Sequence, residues 1–154
     1  MEAIKVIFFL LTLLLTNASL EAAEQEKLTL RAEVVDGILI AVLKNNSSKA
    51  VDVYGNYQSI DPEVDSGFFL EIKGSLGKLR NYCGMINQGV PERFALKSGK
   101  DLVFSVEMWV LGASHCLEDR SYTLRVIYIN NAKSTNRSEF YSNSISFNAE
   151  FFTN

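Results

Sequence analysis

Cys83, His115 and Cys116 are the residues of this 154-residue chain whose types could do covalent chemistry. A cysteine nucleophile needs an imidazole within hydrogen-bond reach, itself oriented by a third group. His115 is the sole histidine and abuts Cys116. Neighbours on a strand point to opposite faces, so these two do not pair if their segment is extended. Cys83 with His115 stays geometrically open, but a disulfide would consume that thiol, and His115 reads as a surface or loop residue. Zinc fails on spacing, because two of the three available ligands are adjacent. Asp61, Glu63 and Asp65 alternate in a loop with Pro62, as hard oxygen ligands for calcium would. Ile72 stands where an EF-hand places its closing carboxylate, so the three read as a solvated acidic loop. Gly74-Ser75-Leu76-Gly77 lacks the Lys-Ser/Thr ending of a phosphate loop. No carboxylate pair is singled out for glycoside hydrolysis. The expectation is a protein that is not an enzyme and takes no cofactor or metal.

What holds those cysteines depends first on where the chain folds. Lys5 lies in a short polar start, Ile4 to Leu15 is almost wholly apolar, and Ala18, Ala22 and Ala23 follow. This is the layout of a secretory signal peptide over residues 1–23, with cleavage after Ala18 or after Ala22/Ala23 both compatible. The apolar run falls short of the roughly 20 residues that span a bilayer, and Glu21, Glu24 and Glu26 give no stop-transfer pattern. Residues 24–154 then form one domain, secreted or periplasmic, with no stable membrane span in the mature form. In an oxidising compartment Cys83 and Cys116 are expected to form one internal disulfide. Two separate thiols or an intermolecular bridge are the rival readings. Removing the leader leaves a charge of about −2 with both signs scattered, which draws neither nucleic acid nor anionic lipid.

The mature chain alternates at period two. Leu28, Leu30, Ala32 and Val34 predict a first strand, Asp36-Gly37 a type I′ turn, and Ile38–Leu43 its hairpin partner. Asn45-Asn46-Ser47-Ser48 is a turn cluster before a strand from Ala50 to Tyr54. Strands follow at Phe68–Ile72, Lys78–Tyr82, Arg93–Leu96 and Leu102–Trp109, the last two flanking a hairpin signal at Lys97-Ser98-Gly99-Lys100. Tyr122–Tyr128 and a region from Phe140 to Phe152 complete the series. No window shows a convincing helical stripe. The reading is all-β, a single antiparallel sandwich of about eight strands. Strands apolar on both faces, Ile38–Leu43 and Phe68–Leu70, argue against an outer-membrane barrel.

Glu118-Asp119-Arg120-Ser121-Tyr122-Thr123-Leu124 resembles the corner before the penultimate strand of immunoglobulin-like domains. The closing Ser142–Phe147 resembles the final strand of secreted bacterial immunoglobulin-like domains. The resemblance implies an immunoglobulin-like sandwich in which the Tyr122 hydroxyl bonds back to backbone. Leu124 stands where antibody domains place their second cysteine, so their inter-sheet bridge is missing. A fold of this kind implies no activity. The tip joining the last two strands holds Asn130, Asn131, Lys133, Thr135, Asn136 and Arg137, whose side chains suit adaptable hydrogen bonding. They are the candidate binding residues, and Tyr54–Tyr57 and Tyr82–Gln88 are second candidates. The sequons at Asn45, Asn46 and Asn136 matter only in a host that glycosylates secreted proteins. The expected function is recognition of an unidentified protein or envelope ligand through loops. Inhibition of a secreted hydrolase and a structural role in a surface assembly are the alternatives.

Overall fold

The computed structural model describes residues 28–55, 66–84, 92–118, 121–131, 135 and 137–148. The leader, the acidic loop with Asp61, Glu63 and Asp65, and positions 149–152 of the expected last strand lie outside them. Among the described residues there are ten strands and one short helix, all strand pairs are antiparallel, and no barrel closes. β1 (Leu28–Val35), β2 (Ile38–Asn45) and β7 (Asp101–Glu107) form one sheet in the order β1-β2-β7. β4 (Gly67–Gly74), β5 (Leu79–Arg80), β8 (Ser121–Asn130), β9 (Ser138–Tyr141) and β10 (Ile145–Asn148) form the second. Among the described residues, β3 (Val51–Tyr54) and β6 (Arg93–Leu96) pair only with each other.

The alternation sets the two layers. Leu28, Leu30 and Ala32 of β1 with Leu39, Ala41 and Leu43 of β2 turn inward. They meet Phe68 and Ile72 of β4 and Leu124, Val126 and Tyr128 of β8. Phe68 bridges the layers, stacked on Phe104 at 5.2 Å and edge-on to Tyr128 at 4.9 Å. Each such buried side chain contributes about 1.5–3 kcal/mol. The β1–β2 hairpin is the one the sequence predicts: Val35 pairs with Ile38, and Asp36 and Gly37 take φ of 49° and 76°.

Three expectations are corrected. The strand expected over Leu102–Trp109 ends at Glu107, and Met108–Ser114 is a helix, α1. Its first N–H, on Met108, donates to the Gly37 carbonyl of the β1–β2 turn at 2.8 Å, one last rung in register with the β2–β7 ladder before the chain turns into the helix. The hairpin expected around Lys97–Lys100 is a turn without a hairpin. Lys100 N donates to Lys97 O at 3.1 Å, but β6 pairs with β3 and β7 with β2, so the chain changes layer there. His115, expected as a surface or loop residue, lies in the turn that ends α1 but is buried.

The β3–β6 ribbon hangs between the layers on polar side chains. From the first sheet, Asn45 Nδ2 donates to Leu96 O at 2.8 Å and to Lys49 O at 2.9 Å. From the second, Tyr54 N donates to the Tyr128 hydroxyl at 2.7 Å, and that hydroxyl donates to Tyr54 O at 3.2 Å. Asn130 Nδ2 donates to Asp52 O at 3.0 Å. Tyr128→Phe should therefore cost about 1–2 kcal/mol in denaturant unfolding, because the aromatic packing stays while the β3 amide loses its acceptor. Faster amide exchange at Tyr54 than at Val126 is the local signature of that loss.

β9 and β10 are one strand broken at Ser142–Ser144. Ser142 N donates to Val126 O and its hydroxyl accepts from Val126 N, both at 2.9 Å, which keeps β8 satisfied across the break. Asn143 then reaches the opposite layer. Its Oδ1 accepts from Ala32 N at 3.1 Å and its Nδ2 donates to Ala32 O at 3.0 Å, closing the outer edge of β1 as a paired residue would.

Candidate binding surface

The β8–β9 connection divides its predicted residues between two places. Asn130 is turned inward and 6% exposed, with its amide N–H committed to β3. Its Oδ1 is buried and has no hydrogen-bond partner. Asn131 follows in the left-handed region, φ 54°, a conformation asparagine tolerates better than most residues. Thr135 is exposed, and Lys133 and Asn136 lie outside the described residues.

Arg137 goes elsewhere. Its Nε and Nη2 donate to Glu139 Oε1 at 2.9 and 2.6 Å, while the Tyr141 hydroxyl donates to the other carboxylate oxygen. Tyr141, helped by Arg137, holds the Glu139 carboxyl below its ordinary range, and the same bond raises the Tyr141 phenol. The Arg125 guanidinium lies 4.6 Å from the Tyr141 ring centre and pairs with Glu71 at 3.1 Å, as does Lys73. The outer face of the second sheet thus carries a strip of alternating charge in which Arg137 already has its partner. Exposed pairs of this kind contribute about 0–1 kcal/mol each.

Asn130 and Asn131 line a groove of about 540 Å³ that the sequence reading did not foresee. The β2–β3 turn supplies Ser47, Ser48 and Lys49 to one wall, β3 supplies Asp52, and the hairpin base supplies Ser138. Leu28, Val51 and Phe140 provide its apolar surface. Arg93 from β6 pairs with Asp52 at 2.6 Å, and Lys49 adds a further cation to the lining. The side chains of Ser48, Asn131 and Ser138 make no hydrogen bond among the described residues. The groove exists because the β3–β6 ribbon is held away from the second sheet by Tyr128 and Asn130 rather than paired to it by backbone.

The cysteines and the histidine come together at the end of α1. Cys83 and Cys116 form the expected internal disulfide, with Cα atoms 6.1 Å apart. It ties the segment after β5 to the end of α1, where Cys83 N also donates to Ser114 O at 2.8 Å. Leu117 N donates to Gly112 O at 3.1 Å, and Cys116 has φ 48°. This is a Schellman-type helix end with cysteine at the position glycine normally takes. Of the second candidates, Tyr54 has its backbone held by Tyr128, and Tyr82 meets His115 edge-on at 5.2 Å. Tyr57 and residues 85–88 lie outside the described residues. No three His, Cys, Asp or Glu side chains cluster among the described residues, and no helix there is long and apolar enough to cross a membrane.

His115 Nδ1 lies 3.0 Å from Ser114 Oγ and 3.3 Å from Leu111 O. Burial pushes its imidazole below 6.5, against the smaller opposing pull of the Leu111 carbonyl. The fold therefore favours the neutral ring. As pH falls through 6.5 the unfolded chain binds the proton first, and stability declines until the folded-state ring also protonates. Urea midpoints between about pH 7.5 and about pH 5 should fall, and His115→Gln should flatten that slope.

No protein-family model matches this chain, and a search of curated proteins finds no match.

Proposed function

We propose that residues 24–154 form an exported, non-catalytic binding module, an immunoglobulin-like sandwich secreted or held in the periplasm. Its recognition surface is the groove between the β2–β3 turn and the base of the β8–β9 hairpin. The observation carrying this reading is a groove of about 540 Å³ lined by the polar side chains of Ser48, Asn131 and Ser138, which make no hydrogen bond among the described residues, with Lys49 and the apolar Val51 beside them. The disulfide supports an oxidising compartment. The sole imidazole, buried against Tyr82 beside an oxidised cysteine, supports a role without nucleophilic catalysis.

The test is capture of partners from the native envelope fraction by the mature protein and by an Asn131→Gly variant. Glycine accepts φ 54° without strain, so the variant removes only the side chain. Loss of a captured partner is the expected result; retention of every partner rejects the groove as the recognition surface.

A structural subunit is the second reading, favoured by the outer edge of β7, which pairs with no other strand among the described residues. Two copies joined antiparallel with full overlap about Phe104 would set Asp101 opposite Glu107 at both ends. Like charges directly opposite are unfavourable, so self-assembly through β7 is disfavoured. Size-exclusion runs should give an elution volume independent of concentration; growth in size with concentration would reinstate the subunit reading.

A further inference from the structure

We propose that the outer edge of β7 takes an extended segment of a second protein, added as a further strand with a lysine or arginine facing Glu107. The backbone of β7 fixes the kind of partner. Asn45 N donates to Lys100 O at 3.0 Å and Met108 N to Gly37 O at 2.8 Å, both in register with the β2–β7 ladder. Antiparallel ladders alternate, so Leu102, Phe104 and Val106 use their backbone groups on β2, while Asp101, Val103 and Ser105 turn theirs outward. Those outward groups meet no partner among the described residues. Such a row of N–H and C=O groups is complemented by another extended backbone.

No other long strand offers such an edge among the described residues. β2 and β8 are paired on both sides. Asn143 closes β1 at Ala32, where Leu28 and Leu30 are buried as well. Along β4, Gly67, Phe68 and Phe69 are buried ahead of the β5 pairing. Asp101, Val103 and Ser105 are instead exposed, and β7 has no proline, lysine or bulge to blunt it.

The side chains along this edge narrow the partner further. Lys44 lies across the ladder from Asp101 and Lys100 precedes it, so that end holds both signs. Val103, 45% exposed, stands beside Val42 and offers an apolar surface. At the other end Glu107 lies across from Ile38 and pairs with no cation among the described residues. Its carboxylate accepts the indole N–H of Trp109, which is 46% exposed. A carboxylate beside an open indole attracts a lysine or arginine on two counts. A second copy of β7 in full overlap brings Asp101 to that place, so the occupant is a different chain.

The experiment is titration of the mature, disulfide-intact protein with the capped peptide Lys-Val-Thr-Val-Thr-Val-Thr at millimolar concentration. Emission of Trp109, the sole tryptophan, and backbone amide exchange follow the binding. The expected result is a shifted emission and exchange slowed by about tenfold at Val103 and Ser105, with 48–52 unchanged. A peptide with glutamate in place of lysine should bind about tenfold more weakly. Val103→Pro removes an N–H that β2 does not use, so the ladder stays while peptide affinity falls by about tenfold. Glu107→Lys leaves the backbone edge intact and should reverse the order of the two peptides. Binding that ignores Val103→Pro, or protection gained elsewhere, overturns the proposal, as does no binding of either peptide. Equal affinity for both peptides overturns the basic partner. Growth in size of the free protein with concentration, abolished by Val103→Pro, would assign the edge to a second copy and overturn the different chain.

Discussion

Asn45→Ala is expected to lower stability by about 3–4 kcal/mol, more than any other single polar substitution in the described part of the chain. Asn45 is fully buried and uses its whole amide. Nδ2 donates to Lys49 O and Leu96 O, and Oδ1 accepts from Ser47 N at 2.9 Å and Ser47 Oγ at 2.7 Å. Alanine removes all four bonds and leaves the Leu96 carbonyl buried without that donor. Asn45→Asp is no rescue, since a carboxylate keeps the acceptors but faces two carbonyl oxygens without an N–H to offer. Urea unfolding gives the total loss. Amide exchange locates it: β3 and β6 should open first, while β4 and β8 keep their protection. Equal loss of protection in β4 and β8 would mean that the ribbon is not a separate unit.

Cys83→Ser/Cys116→Ser should cost about 3.7 kcal/mol, the chain-entropy value for a loop of 33 residues. Stability of about 5–15 kcal/mol is normal for such a domain, so the variant should unfold at markedly lower urea. The end of α1 adds a finer expectation. Cys116 has φ 48°, where a side chain costs about 1 kcal/mol that glycine does not. Cys83→Ser/Cys116→Gly should therefore be more stable than the double serine variant by about 1 kcal/mol. If the two variants unfold together, the left-handed turn exists only because the disulfide imposes it.

The sheet architecture was legible because alternation carries most of it. Leu28-Leu30-Ala32 and Tyr122-Leu124-Val126-Tyr128 each mark an inner face, and Asp36-Gly37 names its own turn type. The helix was not legible. Leu102, Phe104, Val106 and Met108 continue at period two across the boundary, and α1 is only seven residues long. Its buried residues are Met108, Leu111 and Gly112, with His115 just past its end, and a glycine and a histidine do not read as an apolar stripe. The layer change at Lys97–Lys100 was hidden because a turn sequence specifies a reversal, while pairing is decided by Asn45, 51 residues from Leu96. The candidate site was legible in part. Asn130 and Asn131 do reach the groove, but Arg137 turns to the outer face because Glu139 lies two residues on. Ser48 and Asp52 gave no local signal of their own; the tyrosine hydroxyl that spaces β3 from β8 creates their setting.

The amide of Asn143 on Ala32 joins positions 111 residues apart. Contacts of that span are entropically expensive to close early, so the sandwich cannot seal while most of the chain is still emerging. For a chain made from its N-terminus, this topology favours a late finish. β1 is the first described strand to be synthesised, and it stays open at its edge until the last strand arrives. A chain stalled before residue 143 would expose that edge, which makes incomplete synthesis the point at which this protein is most open to misassembly.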